Sequence, residues 1–105
     1  MELVNEPHPL GSLLAYQSGA VVSKTLLKQD TGTVTLFAFD RGEGLSEHTA
    51  PFDALVVMVE GTADITVAGE THRCVAGDLL RLPARQPHQV FAAERFQMLL
   101  IMIRS

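Results

Sequence analysis

The chain has 105 residues, a mass of 11.4 kDa and a formal net charge of −4. That is one domain, and 47% hydrophobic against 19% charged residues excludes a largely disordered chain. Eight scattered lysines and arginines exclude the basic face of a nucleic-acid binder, and the longest apolar runs, Ala54–Val59 and Met98–Ile103, fall far short of the roughly 20 residues of a membrane span.

Residues 1–18 read as an N-terminal arm ahead of a barrel domain at residues 19–105. Glu2 and Glu6 occupy the place where a basic-then-apolar leader would begin. Pro7 and Pro9 bracket His8 and impose an extended start. Leu10–Tyr16, with Leu10, Leu13 and Leu14 on one side, predicts one or two helical turns.

From Gly19 onward the pattern is strand-like. Strands are expected near residues 20–27 and 33–39, with Asp30-Thr31-Gly32 supplying turn chemistry between them. Gly42 and Gly44 break the run before a strand at 45–49. Strands at 54–60 and 62–67 flank a turn at Glu60-Gly61, and Ala68-Gly69 is a two-residue hairpin leading into 70–75. Ala76-Gly77-Asp78 turns again before 79–82, and Pro83 and Pro87 bracket a loop holding Arg85. Strands at 88–92 and 95–103 close the chain. Turn signals at this spacing, with no long helical period, predict an antiparallel sandwich or barrel. Val21–Leu27, Thr33–Phe39 and Met98–Ile103 are apolar at both parities, more than one core face needs, which predicts a homodimer through a second buried face.

Asp40, Glu43, Glu47, Asp53, Glu60 and Asp64 form an acidic stretch opposed by Arg41 alone, and it reads as a solvated surface. The lone Cys74 makes neither an internal disulfide nor a cysteine-rich zinc site and reads as a small buried hydrophobe. These features together point to the cytoplasm. His8 and His72 read as solvated or edge histidines, and Ser46 lacks the setting of a nucleophile. His48 and His88 stand apart from these. They lie on different predicted strands, and two neutral imidazoles can converge on one metal ion. Two ligands fall short of the three or four typical of protein metal sites, so two independent histidines remain the alternative.

The spacing around these histidines resembles the cupin superfamily. The first cupin motif reads G-x5-H-x-H-x3-E-x6-G, and Gly42, His48, Ala50, Ala54 and Gly61 fall in that frame. The second reads G-x5-P-x4-H-x3-N, and Gly77, Pro83, His88 and Ala92 fall in that one. The stretch Leu45–Ala54 is similar to that of short single-domain bacterial cupins. The resemblance implies an all-β, single-domain cupin barrel, a double-stranded β-helix or jelly roll of antiparallel strands, preceded by a short arm.

The departures carry as much information. Ala50 stands at the position of the second histidine, Ala54 at that of the glutamate and Ala92 at that of the asparagine. Two of the four usual metal ligands therefore remain, His48 and His88. Asp53 precedes the glutamate position and by alternation faces the other way. It becomes a third ligand only if a bulge re-aims it, and fixing the loop through backbone amides is its expected role. Period two places Ala54 and Met58, with Val90 and Ala92, inside the barrel. The implied pocket is thus His48, His88, Ala50, Ala54, Met58 and Val90, for which packed core is the competing reading of Met58 and Val90. The expected function is non-catalytic binding of a small molecule near the two histidines. The alternative is an isomerase, dioxygenase or decarboxylase using a weakly held divalent ion on His48 and His88. The expected cofactor is accordingly either none or weakly bound zinc, nickel, manganese or iron, with no nucleic acid and no membrane as partner.

Overall fold

The computed structural model describes residues 5–104; Glu2, the first four residues of the arm and the last residue of the barrel segment lie outside them. Eight strands form: β1 (Val21–Gln29), β2 (Gly32–Phe39), β3 (Gly44–His48), β4 (Asp53–Val67), β5 (Glu70–Val75), β6 (Leu79–Leu82), β7 (His88–Phe91) and β8 (Phe96–Ile103). All pairings are antiparallel. One sheet runs β1-β2-β8-β4-β6 and the other β5-β4-β7-β3, so β4 belongs to both.

The sequence predicts two strands with a turn at Glu60-Gly61, whereas β4 is one continuous strand of 15 residues. The turn chemistry is present but bends the strand without ending it. The register against β8 shifts between Met58 and Glu60, the mark of a bulge, and Gly61 follows at φ +79°. Residues 53–61 pair with β8, and residues 62–67 pair with β5. Gly61 also pairs directly with Phe96; a Cβ there would overlap the Arg95 carbonyl oxygen and lie 2.8 Å from the Phe96 Cβ.

Between the sheets, alternate residues interdigitate. Val56 and Met58 come from the first half of β4, Ala63 and Ile65 from the second, and Phe39, Phe96 and Met98 from β2 and β8. Phe39 and Phe96 stack with centroids 4.4 Å apart and planes 10° from parallel. Cys74 is buried in this core, as its lone apolar reading predicts. The hairpin at Ala68-Gly69 has both residues at positive φ, +50° and +83°, the requirement of a type I′ turn.

The arm forms less helix than Leu10–Tyr16 predicts, a single 3₁₀ turn over Leu10–Ser12. Pro9 and Leu10 accept from Ser12 N and Leu13 N within that turn, but the carbonyls of Gly11, Leu13 and Leu14 are taken by the sheet. Gln97 Nε2 donates to the Gly11 and Leu14 carbonyls at 3.2 and 3.1 Å, and Lys24 Nζ donates to Leu13 at 2.7 Å. The Tyr16 hydroxyl donates to Glu60 at 3.0 Å, under the Arg95 guanidinium. The arm thus covers Leu36, Ala38 and Gln97 on the outer face of the first sheet. Further along the same face Leu27 and Ile103 are exposed, and with Val34 and Ile101 they line a groove of about 210 Å³.

Gly61→Ala should destabilise the fold by about 3 kcal/mol or more, because left-handed strain adds to overlap with two backbone neighbours. Gly69→Ala, whose Cβ would meet nothing within 4 Å, should lose about 1 kcal/mol from strain alone. Urea unfolding of both variants checks the difference; equal losses would mean that the contact with β8 does not constrain residue 61.

Candidate functional site

Strands β3 and β7 bring the two histidines together. Gly44 faces Phe91 and Leu45 faces Val90, but the next recorded pair is His48 with His88. Regular pairing would set Glu47 against His88. One extra residue on β3 forms a bulge, moves Glu47 out of that slot and puts His48 into it. The Nε2 atoms stand 3.0 Å apart, with ring centroids at 4.3 Å and planes at 71°. His88 is buried, and His48 is exposed on the solvent side of the pair.

Each ring is held by the carbonyl two residues before it. His48 Nδ1 donates to Ser46 at 2.8 Å, and His88 Nδ1 donates to Gln86 at 3.3 Å. A carbonyl only accepts, so each Nδ1 must carry a proton in these contacts. A hydrogen bond between the two Nε2 atoms then requires a third proton. Three contacts call for three protons on two rings, a pair with one positive charge. With two protons one contact fails, and the long His88–Gln86 bond is the weakest of the three. The alternative occupant for the facing lone pairs is another cation. Burial first, and the neighbouring His48 second, push the His88 pKa below the ordinary histidine value, partly opposed by the Gln86 carbonyl. His88 is therefore the partner that favours the neutral form.

The surrounding loops are pinned to each other. Arg85 N donates to the Ala50 carbonyl at 2.7 Å, and the Asp53 carboxylate accepts from Ala84 N at 2.8 Å. Asp53 also accepts from Arg81 at 3.4 Å, and these contacts hold its pKa below the usual carboxylate range, the Ala84 amide contributing most. Asp53 thus ties the loop through a backbone amide, the role its parity implies. Ala50 is partly buried. Ala54 packs against the core at the start of β4 and, with Asp53, Leu55, Arg81 and Ile103, borders a hollow of about 230 Å³. Met58 and Val90 are buried at 2% and 4% exposure within the core cluster. A second hollow, of about 380 Å³, adjoins the β3–β7 pair between Leu45, Ser46 and Phe91.

Among the described residues no group of three or more His, Cys, Asp and Glu side chains is placed to hold a metal ion. The histidine pair fits part of a coordination sphere. Each Nδ1 is fixed by a carbonyl, the usual outer support of a metal-bound imidazole. Two nitrogens at about 2.1 Å from one ion and at right angles to each other stand about 3.0 Å apart, which is the spacing observed. Ala50 and Ala54 supply no further donor. His72 lies on edge strand β5, 4.0 Å from Glu70 and remote in sequence from the pair. The β3 bulge has no advance signal in the residues; the S-E-H and Q-P-H spacings that supply each carbonyl two positions back are visible in hindsight.

Because burial lowers the His88 pKa, the folded protein takes up this proton less readily than the unfolded chain. This effect leaves stability intact above the unfolded value of about 6.5 and reduces it as pH falls below that value. Urea unfolding between pH 7.5 and 5 should show that decline in the wild type and a flatter profile in His88→Asn; identical slopes would remove His88 as its source.

A family model described as "Cupin domain" matches residues 35–104. Among solved structures, a conserved protein of unknown function from Streptococcus pyogenes superposes with a TM-score of 0.93 at 31% identity, over 98% of this chain and 90% of that one. A cupin superfamily protein from Desulfitobacterium hafniense DCB-2 gives a TM-score of 0.92 at 32% identity, over 98% and 94%. A cupin 2 conserved barrel domain protein from Leptotrichia buccalis gives 0.87 at 38% identity, over 90% of this chain and 46% of that one. No curated protein matches the chain.

Proposed function

The chain belongs to the cupin family, and on that premise we propose that it binds a small molecule at the barrel end marked by His48 and His88, without carrying out a reaction on it. The observation that carries this reading is the imidazole pair itself. Two rings, each steered by a backbone carbonyl, meet Nε2 to Nε2, while this chain has Ala50 and Ala54 at motif positions where the family has further ligands. The pair offers an organic ligand one buried and one solvent-facing polar group. The lone, buried Cys74 and the acidic composition support a cytoplasmic setting.

A second reading is favoured by the proton count at the pair. Two carbonyl-anchored rings with facing lone pairs suit a divalent cation as well as a proton, and His48 and His88 would hold it. Such an ion supplies Lewis acidity when bound. The two readings separate on metal content. Protein purified without a histidine tag should contain far less than one equivalent of zinc, nickel, manganese or iron, before and after soaking. Near-stoichiometric metal that disappears in both His48→Ala and His88→Ala would replace the first reading with the second, and its retention should then fall below about pH 6.5 as imidazoles protonate. For the binding reading, thermal-shift screening against a metabolite library should find ligands of the wild type that either alanine variant fails to bind; ligands indifferent to both substitutions would end it.

The same chain is proposed to act as a homodimer. The outer face of the first sheet continues beyond the arm as an apolar band over Leu55, Val57, Leu99 and Ile101, all only half-buried, with Ile103 and Leu79 exposed at its borders. A band of this kind supports burial against a second copy. Light scattering at micromolar concentration should give twice 11.4 kDa, and Ile101→Asp should return the monomer mass with the fold retained. A wild-type mass near 11.4 kDa would refute the dimer.

A further inference from the structure

The loop between Pro83 and Pro87 is built at a conformational cost. Gln86 N donates to the Pro83 carbonyl at 3.3 Å, closing a tight turn with Arg85 at its third position. Arg85 has φ +64°, the left-handed region that this position of a type II turn demands and that glycine or asparagine usually fills. An arginine gains nothing from that backbone and loses stability by adopting it. The surrounding contacts hold it there: Arg85 N bonds the Ala50 carbonyl, and Ala84 N bonds Asp53.

The side chain is not consumed by those contacts. Asp53 is the acid beside this loop, and it is engaged by Arg81 and by the Ala84 amide. Among the described residues Arg85 makes no ion pair, and its residue is exposed. Its position in the chain ties it to the histidines from both sides. Its amide bonds residue 50, two positions after His48, and the loop that carries it leads into β7, which opens with His88 three positions later. The turn thus holds an exposed arginine at the same barrel end, three residues before His88 and bonded through its amide to a residue two positions after His48.

We propose that Arg85 is a ligand-binding residue, and that the small molecule taken at this barrel end carries a carboxylate which the Arg85 guanidinium receives while the rest of the ligand reaches the His48–His88 pair. The inference rests on the binding reading above and adds to it the chemical class of the ligand. A planar guanidinium presents two parallel N–H groups that match a carboxylate, a geometry a lysine ammonium lacks. Asp53 accepts from Arg81 and from the Ala84 amide; the nearby Arg85 charge also acts on it, but among the described residues no hydrogen bond or ion pair joins the two.

The test uses the full chain, with succinate, 2-oxoglutarate and benzoate as probes and their methyl esters as matched neutral compounds, read by isothermal titration and by amide chemical shifts. At least one acid should bind the wild type and its ester should bind at least about tenfold more weakly. Arg85→Ala should lose the acid by a similar factor, Arg85→Lys should recover only part of it, and raised salt should weaken it. Arg85→Gly separates binding from folding. It should also lose the acid, and its melting temperature should match or exceed that of Arg85→Ala because glycine relieves the left-handed strain. Esters binding as well as acids, no acid binding up to 10 mM, or Arg85→Ala binding like wild type would each overturn the inference. If His48→Ala and His88→Ala lose binding while Arg85→Ala keeps it, the binding reading stands and the carboxylate inference falls. If Arg85→Ala loses binding while both histidine variants keep it, Arg85 holds the carboxylate and the histidine-anchored reading falls.

Discussion

Everything in this barrel hangs on a strand that belongs to two sheets. β4 pairs with β6 and β8 through its first half and with β5 and β7 through its second. The change of sheet requires a sharp bend in a chain that must not lose its ladder hydrogen bonds, since unpaired backbone groups inside a small core are costly. A bulge after Met58 and a left-handed Gly61 make the bend, and Phe96 lies so close behind Gly61 that no side chain fits. The stacked Phe39–Phe96 pair then fills the angle between the sheets. Because β7 is aligned on the second half of β4, with His88 beside Val67, the same bend decides where His88 stands.

The site shows how small departures from regular pairing carry chemistry. One extra residue on β3 replaces a Glu47–His88 opposition with a His48–His88 opposition. That exchange turns an acid–base pair into two imidazoles competing over protons. Backbone carbonyls two residues upstream then choose the tautomer of each ring. A hydrogen bond between the two Nε2 atoms calls for a third proton, and burial first and the neighbouring His48 second make His88 resist carrying a charge. An insertion or deletion between Leu45 and His48 would alter this as surely as replacing a histidine.

The outer face of the first sheet is governed by a buried amide. Gln97 is 1% exposed within an apolar surface, and both its N–H donations go to arm carbonyls. Its Oε1 finds no partner among the described residues, an unmet acceptor worth about 1–3 kcal/mol of lost stability. The two bonds to the arm return about 0.5–1.5 kcal/mol each. The gain is therefore less in stability than in position. A leucine at 97 would bind the arm without specifying where, whereas the amide selects the carbonyls of Gly11 and Leu14 and so sets how much of the apolar face the arm covers.

The residues alone determined a good deal. Alternation and turn chemistry placed all eight strands to within about two residues, since β-branched runs and Gly/Pro/Asp breaks are local properties. Only the junction at Glu60-Gly61 was misjudged, because a glycine that ends a strand and one that bends it share the same local chemistry and differ in whether β8 lies alongside. The motif spacing singled out His48 and His88 and showed that Ala50 and Ala54 remove the usual ligands. Loop parity assigned Asp53 to a backbone amide. Tertiary structure decided the rest. The β3 bulge, the carbonyl partners of each ring and the left-handed Arg85 depend on which strands meet and in what register. The short 3₁₀ turn of the arm, where a longer helix was expected, depends on Gln97, more than eighty residues away in the chain. Local sequence sets which conformations are cheap, but contacts between distant residues choose among them, and in this protein the chemistry of the histidine pair is one of those choices.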